Sequence, residues 1–125
     1  MFSGIWIPLV TPFHHGQVDT AALRQLVRHY EGAGVSGFVA LGTTGEAALL
    51  SQIERYTVLE TIADACGERT PFLIGVGATD TRDVCAQIRH YERWNSAGYL
   101  VPPPYYVCPS QAGLHWHYAH GAAST

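Results

Sequence analysis

The sequence predicts an α/β fold of four strand–helix units around a parallel sheet. Three observations carry that prediction. Apolar, strand-like segments begin near residues 5, 37, 72 and 99, so each unit is about 30 residues, the length of a βα unit. Each strand segment is followed by an amphipathic stretch with helix start and stop signals. The strand segments are short and apolar throughout, as in a parallel sheet covered on both sides.

The first strand is expected over Ile5–Val10, with Pro12 closing it. Asp19 caps a helix whose Leu23, Leu26, Val27 and Tyr30 recur at i, i+3, i+4 and i+7, and Gly32 and Gly34 end it. Gly37–Leu41 is the second strand. Ser51 and Glu54 form a capping box for a helix carrying Ile53, Leu59, Ile62 and Ala63, with Gly67 at its end. Pro71 leads into a third strand, Phe72–Val76. Asp80 and Asp83 start a third helix, with Val84, Ile88 and Tyr91 inward and Gly98 at its end. Tyr99–Val101 is the fourth strand, Pro102-Pro103-Pro104 stops it, and a fourth helix begins near Ser110. Two architectures fit this pattern. One is an open four-stranded sheet; the other is half of an eight-stranded (β/α) barrel, which typically needs about 250 residues.

The chain has 125 residues, enough for one domain and one core. Only 14% are charged, against about 25% in ordinary soluble domains, so part of the surface is expected to be covered by another subunit or further chain. The net charge of −3 offers nucleic acid and acidic membranes no attraction. No apolar run approaches the ~20 residues of a membrane helix, and no secretion signal is read. Cys66, Cys85 and Cys108 make neither a disulfide framework nor a C-x-x-C zinc pattern, which points to reduced cysteines in a cytoplasmic protein. His115, His117 and His120 lack a carboxylate or cysteine to complete a metal site, so they read as helix-surface and packing residues, with no metal, and His14 and His15 are expected in a polar loop. Trp6, Trp94 and Trp116 read as core or interface residues.

The most informative run is Leu41-Gly42-Thr43-Thr44-Gly45-Glu46. It lies at the C-terminal end of a predicted strand, where a parallel α/β sheet carries its ligand site. Glycines let the backbone approach a ligand, and free N–H groups in such a turn can hold a carboxylate or phosphate. It is not a nucleotide P-loop, because the Lys of that motif is absent. Glu46 reads as structural, satisfying N–H groups near the helix start, with a catalytic carboxylate as the alternative. All seven basic residues are Arg; there is no Lys.

Together with Val10-Thr11-Pro12-Phe13, Gly75-Val76-Gly77-Ala78, Pro104-Tyr105-Tyr106 and Pro109-Ser110-Gln111-Ala112-Gly113-Leu114, this run resembles the N-terminal half of the dihydrodipicolinate synthase family. That family sits in the pyruvate-dependent class I aldolase superfamily, which includes N-acetylneuraminate lyase. The resemblance spans residues 1 to about 120 and favours the synthase, since the lyase run more often reads GSTGE. It implies a single partial domain, residues 1–125, forming the first four βα units of a (β/α)8 TIM barrel. It also implies the chemistry: a buried Lys forms a Schiff base with pyruvate, and the enamine attacks aspartate semialdehyde, with no cofactor. Thr43 and Tyr106 would be two members of a proton relay, and Thr44 would bind the pyruvate carboxylate. Tyr106 would reach into a neighbouring subunit, and Tyr105 would lie at that interface, so a dimer or tetramer is expected.

The family's Schiff-base Lys, a third relay Tyr and an Arg for the semialdehyde fall beyond residue 125. Arg cannot serve as the amine, because it stays protonated, so this chain alone is expected to be inactive. Ala47 and Thr79 stand where lysine-inhibited members often have Ser and Asn, which argues against feedback inhibition. The stretch His117–Ala123 reads as a helix interrupted by Gly121. Open edge strands and an apolar inner face would follow from four units alone, so the chain is read as a truncated form of such an enzyme. The alternatives are another 2-keto-acid aldolase, such as a sialate or keto-deoxy-sugar lyase, and a non-catalytic half-barrel that acts only by self-association.

Overall fold

The computed structural model describes residues 2–125. Four strands form one parallel sheet: β1 (Trp6–Pro8), β4 (Gly37–Ala40), β5 (Phe72–Gly75) and β6 (Gly98–Leu100), hydrogen-bonded in the order β1-β4-β5-β6. The order follows the chain and never reverses, so the sheet lacks the switch point of a doubly wound fold. Between β1 and β4 lie a short antiparallel hairpin, β2 (Phe13–His14) and β3 (Gln17–Val18), and helix α1 (Thr20–Gly32). Helices α2 (Gln52–Cys66), α3 (Thr81–Tyr91) and α4 (Gln111–Ala122) follow β4, β5 and β6 in turn.

Each helix begins at the residue whose side chain can satisfy its free N–H groups. Asp19 accepts from Ala22, Asp80 from Arg82 and Ser110 from Gly113. At α2 both halves of the capping box are present: the Ser51 hydroxyl accepts from the Glu54 N–H at 3.2 Å, and the Glu54 carboxylate accepts from the Ser51 N–H at 2.7 Å. Hydrogen bonds from Arg82 hold the Asp80 carboxyl at about 2, well below its ordinary value, so this cap is ionised at neutral pH.

Three local expectations change. The third helix stops at Tyr91, not at Gly98; a 3-10 turn, Glu92–Trp94, carries the chain to Asn95, which takes a left-handed conformation. Gly98 instead opens the fourth strand. Gly121 does not interrupt the last helix but is buried within α4, where an added Cβ would stand 4.0 Å from Ile88 of α3. The hairpin replaces an expected polar loop; His15 and Gly16 both have positive φ, the geometry of a type I′ turn.

The register divides the sheet residues between two faces. Phe38, Ala40, Phe72 and Ile74 are buried and join Leu23, Val27, Val58, Leu59, Ile62, Val84 and Ile88 of the helices in one apolar core. The opposite face carries Pro8, Val39, Leu73 and Leu100, which are half-buried or exposed. The sheet is therefore covered on one face rather than both. Glycines Gly37, Gly75 and Gly98 share that second face. At Gly37 a Cβ would lie 2.4 Å from the Trp6 ring, so any side chain there would have to displace that ring. Among the described residues, no helix is long and apolar enough to cross a membrane.

Candidate active site

The turn after β4 carries Thr43 and Thr44, two of the expected site residues. Its ends are two non-glycine residues with positive φ, Leu41 at 55° and Glu46 at 56°. Inside it, the Gly45 N–H donates to the Gly42 carbonyl at 3.1 Å and the Glu46 N–H to the Thr43 carbonyl at 3.0 Å. The N–H groups of Thr43 and Thr44 have no acceptor among the described residues, and both side chains are exposed. Two consecutive open donors beside two hydroxyls can receive a carboxylate.

Three contacts hold this turn in place. The buried Thr11 hydroxyl, arriving from the loop after β1, donates to the Gly45 carbonyl at 2.7 Å. Gly75, at the end of β5, leaves room for the Leu41 carbonyl; a Cβ there would lie 2.2 Å from that oxygen. Beyond the turn, a 3-10 segment (Ala47–Leu49) is tied to α2 by Arg55, whose Nε donates to the Ala47 carbonyl at 3.1 Å.

A cavity of about 610 Å³ opens at the C-terminal ends of β4, β5 and β6. Thr43, Glu46, Arg55, Gln87, Tyr91 and Tyr105 contribute its polar groups, among otherwise largely apolar walls. Burial raises the Tyr91 hydroxyl above its ordinary value, with a hydrogen bond from Arg55 opposing the shift. The Tyr91 hydroxyl therefore stays neutral at physiological pH.

The expected site residues are not all together. Thr43 lines the cavity, whereas Thr44 stands on the exposed turn outside the lining. Tyr106 is fully exposed, does not line the cavity, and has a left-handed backbone with φ of 71°. Among the described residues no hydrogen bond joins Tyr106 to Thr43. Its neighbour Tyr105 is held at both ends: Thr79 donates to its carbonyl at 3.1 Å, and its hydroxyl reaches the Gly77 carbonyl at 3.5 Å. Glu46 does not take the structural role expected of it. It is exposed and makes no capping bond, and Glu54 performs that task at α2.

Thr11, Arg55 and Gln87 were missed as site residues. Thr11 lies in the Val10–Phe13 run that helped to define the resemblance, but nothing local signals its partner 34 residues on. The histidines of α4 divide. His117 is buried with Nδ1 2.8 Å from the Thr81 hydroxyl and Nε2 without a partner among the described residues, while the His120 ring lies tilted against Trp116, centroids 3.9 Å apart. Among the described residues no cluster of three metal-ligating side chains occurs.

Comparison with known proteins gives the chain a family. The model of the dihydrodipicolinate synthetase family matches residues 1–125. The chain is 38% identical over 122 residues to a 4-hydroxy-tetrahydrodipicolinate synthase 2 of Clostridium acetobutylicum, covering 98% of this chain and 43% of that protein. Among solved structures, the 4-hydroxy-tetrahydrodipicolinate synthase of Methylacidiphilum fumariolicum SolV superposes with a TM-score of 0.96 at 34% identity, over 100% of this chain and 42% of that one. A chloride-inhibited dihydrodipicolinate synthase of Acinetobacter baumannii, complexed with pyruvate, superposes with a TM-score of 0.93 at 34% identity, over 98% of this chain and 42% of that one. The chain thus spans less than half the length of the relatives it matches.

Proposed function

The chain belongs to the dihydrodipicolinate synthetase family, and from that premise we propose that it forms the pyruvate-binding half of a (β/α)8 barrel that condenses pyruvate with aspartate semialdehyde. The observation that carries this reading is the hydroxyl turn at the C-terminal edge of the sheet, with the N–H groups of Thr43 and Thr44 unpaired among the described residues. The barrel geometry is supported by the unreversed strand order, the single covered face and the two strands with one partner each, β1 and β6. The three glycines on the open face fit a crowded barrel interior.

In this reading the Thr44 N–H and hydroxyl hold the pyruvate carboxylate. The amine of a Lys, which this chain does not contain, adds to C2 of pyruvate and expels water. Loss of a C3 proton gives an enamine, whose C3 forms the new carbon–carbon bond with the aldehyde carbon. Every step moves a proton, and a hydroxyl relay contributes when its members are hydrogen-bonded and positioned. Thr43 is one member. Tyr106 is another, entering from a second subunit; its full exposure and outward, left-handed backbone support a role outside its own cavity. The whole protein is accordingly a homodimer or tetramer. The three free cysteines fit a reducing, cytoplasmic compartment.

The test is to join residues 1–125 to the remaining βα units of the Clostridium acetobutylicum relative and to add pyruvate with borohydride. Reductive trapping of pyruvate on a Lys, followed by turnover with aspartate semialdehyde, is the expected result. Trapping without that turnover, but with cleavage of N-acetylneuraminate, would move the chain to another 2-keto-acid aldolase. A folded hybrid that traps no pyruvate would overturn the enzymatic reading and favour a non-catalytic half-barrel.

A further inference from the structure

We propose that Thr11 is a positioning residue for the ligand-binding turn, its buried hydroxyl fixing the Gly45–Glu46 peptide and thereby keeping the Thr43 and Thr44 N–H groups open to a carboxylate. The inference rests on the carboxylate role assigned to that turn, but its structural half can be measured without any ligand.

The argument is one of shared planes. The Gly45 carbonyl and the Glu46 N–H belong to the same rigid peptide unit. Thr11 grips one end of it, donating to the Gly45 oxygen at 2.7 Å. The Thr43 carbonyl grips the other, accepting from the Glu46 N–H at 3.0 Å. With both grips the plane cannot rotate; with one it can, and the bond that orients Thr43 is released with it. The site is also tight. Gly45 is buried, and a Cβ on it would meet the Leu9 carbonyl oxygen at 3.1 Å and the Thr11 hydroxyl at 3.5 Å. Thr11 itself is only 5% exposed, so no bulk water replaces its hydroxyl when that is removed. A buried carbonyl deprived of its donor will turn to find another.

The experiment uses the isotopically labelled protein in three variants: Thr11→Ser, Thr11→Ala and Thr11→Val. Amide hydrogen exchange at Glu46 reports the grip on the peptide plane, and titration with pyruvate, followed at the Thr43 and Thr44 amides, reports the ligand site. The Ala and Val variants should exchange the Glu46 amide roughly five- to tenfold faster, the range expected for one lost hydrogen bond. Amides of the distant core, such as Leu59, should be unchanged. Pyruvate affinity should fall by a similar factor, and Thr11→Ser, which keeps the hydroxyl, should restore both.

If Glu46 exchange is the same in all three variants, the proposal is wrong. If it responds but pyruvate leaves the Thr43 and Thr44 amides unmoved even in the wild type, the carboxylate reading fails while the grip stands. The Ser and Ala variants differ only in the hydroxyl, so they decide the matter should Thr11→Val not fold. Unfolding of the Ser variant as well would assign Thr11 to the fold and overturn its role at the turn.

Discussion

Gly75 and Leu41 approach each other so closely that a Cβ on Gly75 would lie 2.2 Å from the Leu41 carbonyl oxygen and 3.1 Å from the Gly42 nitrogen. The end of β5 is thus the surface on which the hydroxyl turn rests. Gly75→Ala must push the Leu41–Gly42 peptide away, because the clash is with backbone and not with a side chain that can swing aside. The expected cost is about 1–3 kcal/mol of stability, the usual range for overpacking. It should come with displaced amide resonances at Gly42 and Thr43. A denaturant titration and one amide spectrum suffice; an unperturbed turn would contradict the packing described.

Removing the hydroxyl proposed for the relay and the one proposed for the carboxylate should separate the two roles in the completed enzyme. Tyr106→Phe should lower turnover by ~10² or more, the scale of lost proton-transfer catalysis. Thr44→Val should chiefly raise the KM for pyruvate. Steady-state kinetics of both variants check this, and wild-type behaviour in both would remove the relay and carboxylate assignments together.

The capping box at Ser51 and Glu54 secures the start of α2, just beyond the site turn. Ser51→Ala should cost about 1 kcal/mol. The double variant with Glu54→Ala should cost less than the sum of the single changes, since each residue caps through the other's backbone N–H. Urea unfolding of the two single variants and the double measures that coupling directly.

Burial pushes the Cys66 thiol up to about 12, with nearby Glu31 adding to the shift and Arg69 opposing it. At pH 8 an alkylating reagent should modify the exposed Cys108 and leave Cys66 untouched until the protein unfolds. The same shift has a signed effect on stability. The unfolded chain loses the Cys66 proton near pH 9 while the native state retains it, so between pH 9 and about 12 folding weakens as pH rises. That slope reaches at most about 1.4 kcal/mol per pH unit for one group. Tyr91 and Tyr99, also raised by burial, act in the same direction. Comparison with Cys66→Ala isolates the thiol: the variant should show the shallower alkaline decline.

How much of this was legible in the sequence depends on the distance over which each feature is decided. Helix starts were legible. Asp19, Ser51 with Glu54, Asp80 and Ser110 each satisfy N–H groups two or three residues away, so the signal and its target sit in the same short window. The turn after β4 was legible for the same reason, its glycines and hydroxyls being contiguous. The end of α3 was not. The chain leaves the helix at Tyr91 and turns so that Trp94 is buried and its indole N–H donates to Glu60 of α2 at 2.9 Å. That partner is 34 residues away, and it overrides the local stop signal read at Gly98.

The sequence by itself determined the number of strand–helix units, the helix starts and the place of the Gly42–Glu46 turn after its strand, because capping and periodicity act within one or two turns of the chain. Only the tertiary structure decided which sheet face the helices cover, that Tyr106 stands away from Thr43, and that Thr11 holds Gly45. Strand residues that are apolar on both faces do not indicate which face will be buried. A hydroxyl and a carbonyl brought together by two neighbouring strands leave no trace in the residues between them.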